Sequence, residues 1–253
     1  RIVMHLIQTL LHFFTDNFPS LKLISCLFPV SIFWSFLALY IAGFCKRNLS
    51  WKTGYTRKLF HLFIFVSAYF YQRYLGLPGV FILGWSVTIV LTYACFKSDG
   101  NLFYEALARE KDAPHRTKYI VFSYLATFFG GVLSNLLFGP FAIFGYAVTG
   151  IADAIAEPVG TKFGKHPYRV YSFHRNKISY RSLEGSLAVF VSSYLIYFFA
   201  IYFTQTIFPS TYVVVFIMAL ICTGVEAISP SGFDNMLLQI AASFLAAIGM
   251  WAY

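Results

Sequence analysis

The sequence predicts an all-α fold, a polytopic bundle of about seven to eight transmembrane helices. Two observations lead to this fold class. First, 58% of the 253 residues are hydrophobic, only 11% are charged and the mean hydropathy is +0.68. A soluble domain carries about 25% charged residues to solvate its surface, so this composition excludes a soluble fold. Second, apolar runs long enough to cross about 30 Å of hydrocarbon follow one another along the chain.

Eight apolar runs are candidates for transmembrane helices. They lie at residues 23–45, 59–75, 77–97, 119–138, 140–160, 184–204, 210–228 and 236–253. Turn-forming residues separate the second run from the third, the fourth from the fifth and the sixth from the seventh, which favours short connections there. The earlier apolar segment from Ile2 to Phe14 is too short for a regular crossing. It is predicted to be an interfacial helix or the remnant of an earlier span.

The positive charge of the chain is distributed unevenly. Most of the 19 Lys and Arg residues lie in the connections after the first, third and fifth runs, which all emerge on one side of the predicted bundle. The positive-inside rule makes that side cytoplasmic. The net charge of +9 does not predict a nucleic-acid partner, because such binding needs a basic face on a soluble module.

Half of the acidic residues lie in or at the edges of the apolar runs. They are Asp153, Glu157, Glu184, Glu226 and Asp234. Charges at membrane depth cost a few kcal/mol each, so they usually face the bundle interior and mark a functional site. Asp153 and Glu157 are four residues apart and share one helix face, with Gly150 and Gly160 close to it. Glu184 opens a run, where a carboxylate also suits a helix N-terminus.

Basic residues and histidines are predicted on the same side as these acids. Arg57 and Lys58 precede His61 by four and three residues and share its helix edge, and the long basic connection after the fifth run contains His166 and His174. Carboxylates suit Mg²⁺, while Lys and Arg suit phosphate oxygens. Together they predict phosphoryl transfer at the membrane surface, with a lipid entering from the bilayer and a nucleotide from the cytosol.

Four sequence elements occur in order around these residues. They are R-K-L-F-H at 57–61, G-I-A-D-A-I-A-E-P-V-G at 150–160 followed by F-G-K-H at 163–166, R-S-L-E-G-S at 181–186, and Glu226 with Asp234-Asn235. This set resembles the signature of the polyprenol kinase family, which includes phytol kinases, dolichol kinases and the CTP-dependent diacylglycerol kinases of fungi. The resemblance implies transfer of the γ-phosphate of CTP or another nucleoside triphosphate, with a divalent metal, to the hydroxyl of a membrane lipid such as phytol.

The resemblance also implies roles for individual residues. The acids and imidazole at the reacting centre are expected to be Asp153, Glu184, Glu157 and His61. The expected ligands of Mg²⁺ are Asp153, Glu184, Asp234 and Asn235. The nucleotide phosphates are expected to bind Arg57, Lys58, Lys165, His166, Arg181, Ser182 and Gly185. The motifs are completed by Glu226, Gly150, Gly160 and Gly164. On this interpretation residues 1–20 form an apolar or interfacial segment, and residues 21–253 form one membrane-embedded catalytic domain.

Three other functions are compatible with parts of this pattern. A CTP-dependent diacylglycerol kinase would use the same site to make phosphatidate. A lipid cytidylyltransferase would also use CTP and Mg²⁺ but would release pyrophosphate, and the chain shows no resemblance to the C-terminal signature of phosphatidate cytidylyltransferases. An ion-coupled transporter would need acids near the midplane and an internal repeat, whereas the acids here crowd one face and no repeat is visible.

Overall fold

The computed structural model describes residues 2–171, 179–204 and 209–251. The first three helices are α1 (Ile2–Asp16), α2 (Leu21–Asn48) and α3 (Thr53–Lys97). Ser20 caps α2, because its hydroxyl accepts a hydrogen bond from the Leu23 backbone N–H at 3.2 Å. Lys46 and Arg47 lie in the last turn of α2, where positive charge complements the helix dipole.

Helix α3 reverses direction at Gly76. This residue has φ +70° inside the helix, and Pro78 follows it. A positive φ is readily adopted only by glycine, so the break occurs where the sequence permits it. Residues 60 and 64 of the first half and residues 87 and 91 of the second half line one common cavity. The two halves of α3 are therefore antiparallel neighbours, as the turn predicted between the second and third apolar runs requires.

The middle of the chain forms a series of short and long helices. They are α4 (Leu102–Glu105), α5 (Arg116–Phe138), α6 (Ala142–Ala147) and α7 (Asp153–Phe163). A π-helical turn, Val148–Ala152, joins α6 to α7. Arg116 anchors the start of α5 by donating to Glu105 Oε2 and to the Ala108 carbonyl, both at 2.6 Å.

A two-stranded ribbon and three helices complete the described chain. Strands β1 (Pro167–Val170) and β2 (Ser179–Ser182) pair in antiparallel register, with Tyr168 opposite Arg181. The final helices are α8 (Leu183–Thr204), α9 (Pro209–Ile228) and α10 (Asp234–Trp251). The all-α prediction is confirmed for the bundle, but the ribbon was not predicted. Part of the predicted basic loop, residues 172–178 with His174, lies outside the described residues.

Five stretches of helix in the described chain are long and apolar enough to cross a membrane. They are Leu21–Asn48, Thr53–Lys97, Arg116–Phe163, Leu183–Phe203 and Pro209–Ile228. The predicted count of seven to eight crossings is not confirmed. Two of the stretches contain 45 and 48 residues, about twice the 20 residues that one crossing needs. Large apolar side chains such as Phe33, Phe96 and Phe203 are exposed on the outside, as expected for a membrane protein.

Two apolar clusters hold the bundle together. The first includes Leu39 of α2 with Leu83 and Val90 of α3, and α4 and α5 add residues to it. The second joins α8, α9 and α10 to α6, and Tyr197 is fully buried in it with its hydroxyl donating to the Ala242 carbonyl at 2.9 Å. The functional residues described below lie where α3, α7, α9 and α10 approach one another.

Helix α1 packs on the second half of α3. The rings of Phe13 and Phe14 lie 6.2 and 5.7 Å from that of Phe81, and Phe18 lies 5.7 Å from Trp85. The predicted apolar segment therefore contacts the bundle through aromatic side chains. The division between residues 1–20 and one domain at 21–253 stays a prediction.

Gly150 provides a test of the packing between α3 and the π-helical turn. A Cβ atom at this position would overlap the Cβ of Phe65, whereas a Cβ at Gly224 on α9 would meet no atom within 4 Å. We expect Gly150→Ala to destabilise the protein by about 1–3 kcal/mol through overpacking, and Gly224→Ala to be neutral or slightly stabilising. Thermal unfolding of the purified protein in detergent measures both. Equal melting temperatures for the two variants would contradict this packing.

Candidate functional site

Predicted basic and acidic residues meet at one end of the bundle in buried ion pairs. Lys58 Nζ of α3 contacts Asp153 Oδ2 of α7, and the two side chains are only 7% and 8% exposed. Arg57 Nη2 binds Glu157 Oε2 at 3.1 Å, and Lys58 Nζ lies 3.9 Å from the same oxygen. The two acids lie on one helix face, as their four-residue spacing predicted, and in the structure this face is turned toward α3.

Arg181 forms a second group of ion pairs. Its Nε lies 3.1 Å from Glu226 Oε1 of α9, and its Nη2 lies 3.2 Å from Asp234 Oδ2 of α10. All three side chains are largely buried. Because a buried carboxylate is costly without a cationic partner, Arg181 holds the end of the ribbon against both helices. The third and fourth sequence elements therefore meet in space.

The ion pairs surround a polar cavity of about 300 Å³. Its charged lining consists of Arg57, Lys58, Arg109, Lys111, Arg181, Asp153, Glu157, Glu226 and Asp234. Arg57 Nε and Arg181 Nη1 are buried, and neither has a hydrogen-bond partner among the described residues. Buried donors are normally satisfied, and a guanidinium can only donate. The cavity is therefore lined by guanidinium groups that keep unused hydrogen-bonding capacity, an arrangement suited to anionic oxygens.

Small residues of the predicted motifs form one wall of the polar cavity. Gly160, Gly164, Ser182 and Gly185 all line it. Ser182 Oγ accepts a hydrogen bond from the Gly185 N–H at 3.1 Å and so caps α8. A Cβ at Gly160 would lie 2.8 Å from Ser182 Oγ, so only glycine lets α7 approach the start of α8 this closely. Gly150 lies outside this wall and packs on Phe65 instead.

Three predicted site residues lie away from the polar cavity. Lys165 and His166 are exposed at the surface. Glu184 accepts hydrogen bonds from His166, with 2.8 Å between Nδ1 and Oε1 and 3.4 Å between the backbone nitrogen and Oε2. Glu184 borders a separate depression between α7 and α8. The structure thus does not bring Glu184 together with Asp153, and the phosphate or metal roles of these three residues stay predictions.

A smaller cavity of about 90 Å³, termed the connecting cavity, adjoins the polar cavity and shares Arg57 and Arg109 with it. His61 and Asn235 also line it. His61 Nε2 lies 3.2 Å from the Thr149 carbonyl oxygen and 3.7 Å from the nearest Asp153 carboxylate oxygen. Because a carbonyl oxygen only accepts, Nε2 carries the hydrogen and Nδ1 is the acceptor of the neutral ring.

Beyond the connecting cavity lies an apolar cavity of about 400 Å³. The two cavities share Ile64, Phe65, Val87, Tyr124 and Thr127. The apolar cavity is bounded by α1, both halves of α3 and α5, with Gln239 of α10 at one side. Charged groups and hydrocarbon-lined space thus lie in neighbouring cavities that share lining residues.

The expected magnesium site is not formed by the described side chains. Within residues 2–171, 179–204 and 209–251, no three His, Cys, Asp or Glu side chains lie close enough together to hold a metal ion. Each acid of the polar cavity is paired with Lys58, Arg57 or Arg181 instead. Asn235 lines the connecting cavity and donates its amide N–H to Thr127 Oγ1 at 3.0 Å. The metal ligand set therefore stays a prediction.

Sequence reasoning missed Arg109 as a site residue. Arg109 lines both the polar and the connecting cavities, and its Nε donates to Asp112 Oδ2 at 2.8 Å. Burial lowers the pKa of Arg109, and the nearby Arg57 charge adds to this effect, although an arginine stays protonated at neutral pH. In the sequence Arg109 is one of many basic residues in a connection between apolar runs. The acid three residues later, Asp112, is the sole local feature that could have indicated a fixed position for its side chain.

Comparisons with known proteins give one distant relationship. A stretch of 116 residues, 45% of this chain, is 28% identical to a phytol kinase of Synechocystis sp.. The match covers 46% of that relative's length, so the alignment spans less than half of either protein. No family model and no solved structure matches the chain. This similarity supports a phytol or polyprenol kinase-like protein.

The Lys58–Asp153 pair gives a test of the site's architecture. We expect Lys58→Met to lower the free energy of unfolding by about 3–5 kcal/mol, because it leaves a buried carboxylate without its partner. The double variant Lys58→Met/Asp153→Leu should recover most of this loss, since it removes both charges. Reversible unfolding in mixed SDS and dodecyl maltoside micelles measures the difference.

The control for this test is Lys46→Met. Lys46 pairs with Glu110, whose side chain is 67% exposed, and exposed pairs contribute about 0–1 kcal/mol. The prediction is contradicted if Lys58→Met/Asp153→Leu is as unstable as Lys58→Met, or if the control Lys46→Met is. Either result would show that the burial of paired charges does not organise this end of the bundle.

Proposed function

We propose that the protein is a membrane-embedded lipid-alcohol kinase that transfers the γ-phosphate of CTP to the hydroxyl of an isoprenoid alcohol such as phytol. The distant phytol kinase relative supports a function of this class. The observation that carries the proposal is the polar cavity lined by guanidinium groups, with the connecting cavity sharing residues both with it and with the apolar cavity. A kinase for a lipid alcohol needs both environments next to each other.

The polar cavity is suited to a triphosphate. Five cationic side chains line it, and planar guanidinium groups bind phosphate oxygens through parallel hydrogen bonds. Arg57 uses Nη2 for Glu157, and Arg181 uses Nε and Nη2 for its two acids. The acids therefore fix the orientation of both guanidinium groups in the wall of the cavity that is proposed to hold the nucleotide.

At phosphorus, the reaction breaks one bond and forms one. The alcohol oxygen attacks the γ-phosphorus, the bond from phosphorus to the bridging β–γ oxygen breaks, and the nucleoside diphosphate leaves with that oxygen. The hydroxyl proton passes to a nearby acceptor, for which His61 Nδ1 is the candidate in the connecting cavity. Because phosphoryl transfer has a loose transition state, positioning and charge neutralisation provide most of the catalysis. Arg57, Lys58 and Arg181 are placed to neutralise the phosphate charge.

The finer features of the proposal come from the sequence. The positive-inside rule puts the polar cavity at the cytoplasmic face, where CTP is present, in a bundle of seven to eight crossings. Magnesium is expected to accompany the nucleotide. Asp153 and Glu157 act in this scheme by holding Lys58 and Arg57 in place.

Arg57 provides the direct test of nucleotide binding. We expect Arg57→Lys to raise the KM for CTP about tenfold or more, because lysine keeps the charge that pairs with Glu157 but loses the fork of donors. Arg57→Gln should in addition lower kcat by about 100-fold, as loss of a preorganised charged donor does. The control is Lys97→Gln, an exposed residue beside the Tyr93 ring that lines none of the three cavities.

The assay measures transfer of labelled phosphate from CTP to phytol, farnesol, geranylgeraniol or diacylglycerol by the purified protein. Asp153→Asn, which removes the charge that pairs with Lys58, is a second variant expected to lose activity. The nucleotide product is identified at the same time. Release of pyrophosphate rather than CDP would indicate a cytidylyltransferase. No transfer to any acceptor from any nucleoside triphosphate would exclude the kinase function.

A further inference from the structure

Two helices line the whole series of cavities, each changing from charged to apolar along its length. On α3, Arg57 lines the polar cavity, His61 the connecting cavity and Ala68 the apolar cavity. On α10, Asp234 lines the polar cavity and Asn235 the connecting cavity. One turn further on, Gln239 lines the apolar cavity. The cavity linings thus become less polar from the polar cavity to the apolar cavity. A lipid alcohol has the same order of groups, with a polar hydroxyl at one end and a hydrocarbon chain behind it.

Gln239 adds a second observation that points to a ligand. Its side chain is fully buried, and its Nε2 donates to the carbonyls of Thr127 and Asn235 at 3.2 and 2.9 Å. Its Oε1 has no hydrogen-bond partner among the described residues. Thr127 lines both the connecting and the apolar cavities, so the amide group of Gln239 lies near their junction. Its Oε1 is directed toward Gly131 in the wall of the apolar cavity, where a ligand hydroxyl is a donor that would satisfy it.

The connecting cavity limits the size of the ligand. Its volume of about 90 Å³ corresponds to roughly three water molecules. A primary alcohol on a single chain fits such a passage. A glycerol backbone with two ester groups is too bulky, because both chains branch from it within a few bonds of the hydroxyl.

We propose that the apolar cavity between α1, α3 and α5 binds the hydrocarbon chain of a single-chain lipid alcohol, whose hydroxyl end passes Gln239 into the connecting cavity. This inference rests on the proposed kinase function and names its acceptor site and acceptor class. Phe14, Phe18 and Trp85 line the cavity and are exposed on the apolar outside of the bundle. The wall of the cavity at these residues thus faces the bilayer, from which the chain enters.

Gly84 allows the cavity to be filled without disturbing the fold. It lines the apolar cavity, and a Cβ added there would meet no atom within 4 Å. Gly84→Phe should therefore occupy the space of the hydrocarbon chain. The matched control is Gly224→Phe, because Gly224 on α9 also has open space around it and lines none of the three cavities.

The first readout is binding, without nucleotide. A phytol analogue with a diazirine on its chain is irradiated with the purified protein in micelles, and the labelled peptides are identified by mass spectrometry. We expect the probe to label α1 and the second half of α3. The labelling should fall tenfold or more in Gly84→Phe, and the control variant Gly224→Phe should be labelled as strongly as the unaltered protein. Excess phytol should compete with the probe at least tenfold better than dioleoylglycerol.

The second readout is phosphate transfer from CTP. Gly84→Phe should raise the KM for phytol at least tenfold and leave the KM for CTP and the use of the shorter alcohol geraniol within twofold. Specific labelling without phosphate transfer would keep the binding site and reject the kinase function. Three results would overturn the inference even if the kinase function holds. They are phosphate transfer to phytol that Gly84→Phe leaves unchanged, probe labelling outside α1 and α3, and competition by dioleoylglycerol equal to that by phytol.

Discussion

The burial of charge inside an apolar bundle is the constraint on which the site depends. A lysine and an aspartate with side chains less than one-tenth exposed are tolerable only because each neutralises the other. Lys58 and Asp153 come from helices that are far apart in the sequence, so their pairing fixes α3 against α7. Arg181 does the same for the ribbon, α9 and α10. Electrostatic pairing, rather than apolar packing alone, therefore determines how the helix ends converge.

The ion pairs give the acids of the polar cavity a structural role, while the metal-ligand roles expected of Asp153 and Asp234 stay predictions. Carboxylates in a phosphate site are commonly regarded as metal ligands, but here each of the four in the polar cavity is bound to a cation. Their effect is to orient guanidinium and ammonium groups that would otherwise point into solvent. A preorganised donor loses little entropy when it binds a ligand, and such preorganisation is a main source of enzymatic rate enhancement. The free energy spent on burying the acids thus has a use, because the buried acids hold the cations in position.

The sequence predicted the parts of the site that depend on position along a single helix. Asp153 and Glu157 share a face because they are four residues apart, and the cost of charge in a membrane identified both of them, together with Glu226 and Asp234. Position across the bundle was not predictable in this way. Helical spacing does not say which neighbour a side chain meets, so the contact between Glu184 and His166 was not expected. The cavities, the ribbon and the inclusion of Arg109 likewise depend on long-range packing.

The π-helical turn before Asp153 controls the direction of that side chain. A π turn contains one residue more than the corresponding α turn, and such turns are frequent at functional sites. One residue corresponds to about 100° of rotation around the helix axis, since an α-helix has 3.6 residues per turn. Val148–Ala152 therefore rotates the side chains of α7 about the helix axis relative to those of α6. As a result α6 packs on the core while α7 turns its acids toward α3. Close relatives that differ in length here would present the same helix with another face toward Lys58.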